Sequence, residues 1–191
     1  MDGLFTYFKI GAIKAGAPAD VVERFDGADV RDVIELYRDE IKLWISLGWP
    51  SAEVLVDNIG KELLAKYHVH ADDDEFTDGG DSDSYIVCGN SGGEIRVGGM
   101  NSAVVYVMDN SEVLVEASGS GRVFVHVHDG AHVTVENHGR GRVMVKSHSS
   151  ECDVLTSGDV AYIDGVANGT AEYVTLSDAE RDAYMSKIMQ K

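Results

Sequence analysis

With 191 residues the chain can form one ordinary domain or two small ones, and its 44% hydrophobic content supports a packed core and excludes wholesale disorder. A formal net charge of −17 disfavours direct binding to nucleic-acid phosphates or to an anionic lipid surface. Two distant cysteines, Cys88 and Cys152, do not make a disulfide framework, and neither a signal peptide nor an apolar membrane span is read, so a cytoplasmic protein is expected.

Residues 1–70 read as a helical module. FTYFKIGAIKAG and PADVVERF suggest two short helices. ADVRDVIELYRDEIKLWISLGWP then places Val30, Val33, Ile34, Tyr37, Ile41, Trp44 and Ile45 on one helical face. Asp29 suits its N-cap, and Gly48-Trp49-Pro50 ends it. Ser51 can cap a further helix carrying Leu55, Ile59, Leu63, Leu64 and Tyr67. Residues 71–84, ADDDEFTDGGDSDS, hold seven acids and no base, and read as a solvated acidic linker. The order of ligands that an EF-hand calcium loop needs is absent.

From Tyr85 the pattern changes. Apolar residues come in pairs two apart: Tyr85/Val87, Ile95/Val97, Val105/Val107, Val113/Val115, Val123/Val125, Val133/Val135, Val143/Val145 and Cys152/Val154. The pairs recur about every ten residues, with turns of Gly, Asn, Asp and Ser between them. Such strands are too short to stand alone; stacked, each pairs above and below and buries its valines in one narrow core. The fold class is therefore α+β, with a short parallel β-solenoid over 85–170, two strands per coil. An antiparallel β-sandwich or jelly roll is the alternative. Residues 171–191 begin with the capping box Ser177…Glu180, and Tyr184, Met185, Ile188 and Met189 form an apolar stripe, so a C-terminal helix is expected to cap the solenoid.

The stretch SAVVYVMDNSEVLVEASGSGRVFVHVHDGAHVTVEN resembles Val-rich repeats in uncharacterised bacterial and mobile-element proteins, and is similar in style to the coils of bactofilins. The likeness covers roughly 85–165 and implies an architecture; the bactofilin likeness also implies end-to-end polymerisation.

Five of the seven histidines fall between Gly121 and His148. If Val123, Val125 and Val127 face the core, Phe124, His126 and His128 face outward, which places the imidazoles on the solvent surface. HVHDGAH also resembles the cupin metal motif, with His132 in place of its glutamate. That likeness implies a metal held by His126, His128 and His132. The outward columns on one face read Tyr106, Phe124, Met144 and, beside it, Met108, His126, Lys146. So apolar a column calls for a cover, either the chain's own helices or a second subunit.

The expectation is a non-enzymatic structural or interaction protein, homo-oligomeric or bound to another protein, with no cofactor, no nucleic acid and no membrane as partner. Two alternatives stand beside it. One is a metal-dependent cupin-like enzyme. The other is an acidic inhibitor of a mobile element, a decoy for a nucleic-acid-binding surface; against it, residues 85–170 hold only ten acids and five bases.

Overall fold

The computed structural model describes residues 2–166, and their side chains from residue 4 onward. Six helices come first: α1 (Asp2–Ala15), α2 (Ala19–Glu23), α3 (Val30–Asp39), α4 (Ile41–Leu47), α5 (Ala52–Asn58) and α6 (Lys61–Ala65). Asp29 caps α3, its side chain accepting from the Arg31 and Asp32 amides while Asp32 reaches back to the Asp29 amide. The single helix expected after it is two, because Glu40 leaves helical geometry at φ −104°, ψ 23°. Gly48 ends α4 in the left-handed region, and Ser51 caps α5 through the Val54 amide. Gly60, at φ 93°, separates α5 from α6 where one helix was expected.

Eleven strands follow: β1 (Val69–Ala71), β2 (Phe76–Gly79), β3 (Ser84–Cys88), β4 (Gly92–Gly99), β5 (Ala103–Val107), β6 (Glu112–Gly119), β7 (Arg122–Val127), β8 (His132–Asn137), β9 (Arg142–Ser147), β10 (Asp153–Gly158) and β11 (Val160–Asp164). The odd strands form a six-stranded sheet, here sheet A, and the even ones a five-stranded sheet, sheet B. Every strand pairing is parallel, so the protein is a two-sheet β-solenoid and not an antiparallel sandwich. In the middle coils, partners lie twenty residues apart, as in Val105 with Val125 and Val125 with Val145. The interior is a ladder of Val105, Val107, Val113, Val115, Val123, Val125, Val127, Val133, Val135, Val143 and Val145, all buried. Each such side chain stabilises the fold by roughly 1.5–3 kcal/mol of transfer free energy.

The solenoid begins at Val69, not Tyr85, and the residues expected as a linker complete its first coil. Phe76 is the reason. It is the one large apolar group of that stretch, it is buried in the lumen, and Gly93 above it leaves the room; a Cβ there would lie 2.5 Å from the Phe76 ring. Apart from Asp78, which lies in β2, the acids of 71–84 sit at the bends instead of in a flexible tether. Asp72, Gly89, Asp109 and Asp129 occupy one stacked corner in the left-handed region, at φ 49°, 75°, 60° and 54°, a conformation that Asp and Gly tolerate best. At the opposite corner the glycines of SGSG and NHGRG stack so closely that a Cβ on Gly121 would lie 1.6 Å from the Asn101 carbonyl oxygen. The C-terminal helix expected at 171–191 lies outside the described residues.

The helical module packs on the outer face of sheet A. Phe8, Ile34, Tyr37, Trp44 and Leu55 share one core cluster with Val69, Ile86, Cys88, Tyr106 and Met108. Arg38 ties α3 to the start of β3 through the Ser84 carbonyl and Asp83.

Candidate functional site

The twenty-residue coil sets which outward side chains on sheet A become neighbours. Val104, Phe124 and Met144 align, and next to them Tyr106, His126 and Lys146. Tyr106 therefore heads the histidine column and not the Phe124 column: the partners of Val123 and Val125 are Ala103 and Val105, two residues earlier than the Val105/Val107 pair that the apolar spacing suggests. One position further, the His128 amide donates to the Val107 carbonyl and the His148 amide to the Val127 carbonyl, which stacks Met108, His128 and His148.

The outward direction of these side chains is as expected, but their exposure is not. His126, His128, Lys146, Tyr106, Met108 and Met144 are all buried and Phe124 is half-buried, so little of this face meets solvent. The helices enclose Tyr106 and Met108, and the charge of Lys42 on α4 reaches His126.

Within this layer three imidazoles converge. His126 Nδ1 lies 2.8 Å from His148 Nε2. His128 and His148 stack with ring centroids 4.1 Å apart and planes 7° from parallel. One ring nitrogen from each of the three lies within 4.8 Å of the others. Tyr106 lies parallel to His126 on one side, and the Phe124 ring leans on it at 4.5 Å. Burial, then the neighbouring imidazoles His148 and His128, then Lys42 and Lys146, hold the His126 pKa well below its ordinary value. Burial, with His148 and Lys146 behind it, pushes His128 down to about 3. Both rings are neutral at physiological pH, the state in which imidazole binds metals.

His132 does not join them. It opens β8 on the other sheet, exposed, with Asp153 3.5 Å away. The histidine that completes the set is His148, and the signal for it was in the sequence: it stands twenty residues after His128, one full coil.

A second imidazole cluster, which the sequence reading passed over, closes the base of the solenoid. His70 on β1 pairs with Val87, so it points into the lumen, where it stacks on Phe76 at 3.8 Å. Its Nδ1 contacts Asp73 at 3.0 Å and its Nε2 contacts Asp78 at 2.8 Å, while His68 Nδ1 reaches the same Asp78 carboxylate at 3.0 Å. Burial pulls the His70 pKa down, but the hydrogen bonds to Asp78 and Asp73 outweigh it and hold the pKa above its ordinary value. For Asp78 burial works upward, and the bonds from His70 and His68 outweigh it downward. The result is an imidazole clasped by two carboxylates that favour its protonated form.

The outer face of sheet B is open and polar. Its columns read Glu112, His132, Asp153; Glu94, Leu114, Thr134, Leu155; and Arg96, Glu116, Glu136, Ser157. His138 sits beside Glu136 at 3.0 Å, and Arg96 bridges Glu94 and Glu116. Elsewhere, α1 carries Tyr7, Ile10 and Ile13 on its outer side, 47%, 46% and 56% exposed. No family model, no curated protein and no solved structure matches the chain.

Proposed function

We propose that this chain is a non-enzymatic structural and interaction protein, a rigid β-solenoid that pairs with a second copy of itself through the outer side of α1. The observation that carries this reading is α1 itself. On its inner side Phe8 and Ala12 are buried under the other helices; on its outer side Tyr7, Ile10 and Ile13 repeat every third residue and meet solvent. A helix apolar on both sides needs cover on both sides, and an exposed apolar stripe marks a contact site. Two copies of the stripe laid across each other satisfy both with one self-complementary interface. The interior supports a scaffold as well, since valines fill the lumen through the middle coils. The decoy alternative loses support because Asp72, Asp73 and Asp78 are engaged within the first coil.

Light scattering on the full chain through a dilution series tests the pairing. The wild type is expected at twice 20.6 kDa and Ile10→Glu at 20.6 kDa. A wild-type chain that is monomeric at every concentration, or an Ile10→Glu variant with unchanged mass, overturns the reading.

A further inference from the structure

We propose that His126, His128 and His148 form a binding site for one transition-metal ion of the zinc type. This goes beyond the scaffold reading and does not depend on it. The argument starts from geometry. His126 and His128 stand two residues apart at the end of β7, so they share a face, and the bond from the His148 amide to the Val127 carbonyl sets the third imidazole beside them on the next coil. His128 and His148 stand one residue past β7 and β9, but their amides still bond to carbonyls of the neighbouring coil, so the backbone ladder sets the spacing, the condition for a precise first shell of ligands.

The distances suit an ion. Around tetrahedral zinc, with bonds of about 2.0–2.1 Å, imidazole nitrogens stand about 3.3 Å apart. Here one nitrogen from each ring lies within 4.8 Å of the other two, and the closest approach between His126 and His148 is 2.8 Å. Entry of the ion spreads the close pair and turns one of the two stacked rings about its Cβ–Cγ bond, a broad and soft torsion.

The donor set selects the class of metal. Three nitrogens with no carboxylate among them favour zinc, nickel, copper or iron over calcium or magnesium, which require oxygen. The short contact between His126 Nδ1 and His148 Nε2 is a shared proton, with one ring donating and the other accepting. When both nitrogens bind the ion that proton moves to the other nitrogen of its own ring, so occupancy needs a change of tautomer and no net loss of a proton. Lys42 and Lys146 lie close enough to act on His126. Their charge weakens the site toward a dication.

Zinc chloride titrated by calorimetry into full-length chain, made without a histidine tag and stripped by a chelator, provides the test. The wild type is expected to bind one zinc per chain. His148→Gln is expected to lower the affinity at least about 100-fold, and His132→Gln to leave it unchanged. Histidine ring resonances of the wild type, recorded with and without zinc, give a second reading that does not depend on a variant folding: those of His126, His128 and His148 shift and those of His132 and His138 do not. A stripped wild type that takes up no zinc, or zinc that shifts the His132 or His138 resonances in place of the three, overturns the proposal.

Discussion

His70 and His128 are both buried imidazoles on the same solenoid, about three coils apart, and their proton affinities are shifted in opposite directions. His70 meets two carboxylates and binds its proton more tightly than a free imidazole does; His128 meets two other imidazoles and a lysine and sheds its proton. Burial acts in the same direction on both, against the charged form. What differs is whether an acid stands within hydrogen-bond reach. The base of the solenoid is closed by a charged clasp, and its upper coils carry a neutral nitrogen-rich layer, although one residue type makes both. The two sites should therefore respond to acid in opposite ways.

The largest effect is expected from breaking the clasp. Asp78→Asn leaves His68 and His70 facing an amide, and loss of one partner from a buried ion pair costs about 3–5 kcal/mol. Urea unfolding of the variant checks this, and its pH dependence has a definite sign. His70 has a raised pKa in the folded state, so its contribution is whole below the ordinary value of 6.5 and fades as pH rises through the folded-state value. Asp78 has a depressed pKa, so its contribution is whole above 3.8 and fades as pH falls through the folded-state value. Between those limits the wild type gains most from the clasp, and the variant's deficit is expected to be greatest there and smaller above neutrality. A deficit that does not change with pH would mean that Asp78 only packs.

A smaller and opposite effect is expected at the upper layer. His128 is lowered to about 3, so between pH 6.5 and that value the unfolded chain binds the extra proton and the folded chain does not. Metal-free protein should then lose stability on acidification by about 1.4 kcal/mol per pH unit for this one group. His128→Phe keeps a ring against His148 and cannot be protonated. Its stability below pH 6.5 should fall less steeply than the wild type's by that amount. Equal slopes for the two proteins would remove His128 from the neutral layer.

The difference in how legible the two sites were has a physical cause. In the middle coils the repeat is strict, so strand faces and the valine core could be read from spacing alone, and His148 could have been placed beside His128 by adding one coil. The first coil breaks that period: Val69 pairs with Ile86, seventeen residues on. With the register shortened and the residues between mostly acidic, composition pointed to a linker, and neither Phe76 nor His70 stood out as interior. Exposure was misjudged for a different reason. Alternation shows which side of a sheet a residue takes, and it carries no information about what lies on that side. The apolar neighbours Tyr106, Phe124 and Met144 were the only local sign that the outer face of sheet A is covered.

The smallest effect is expected at His132, and it tests whether surroundings rather than residue type set the behaviour of these imidazoles. Its side chain is 59% exposed and its partner Asp153 64% exposed, at 3.5 Å. An ion pair so wet is worth between nothing and about 1 kcal/mol, and salt screens it. His132→Ala should therefore change the urea midpoint little, at low salt as at high salt. HVHDGAH presents His128 and His132 as members of one motif. If their variants differ as described, the motif is divided by the coil, one histidine going to the covered sheet and the other to the open one.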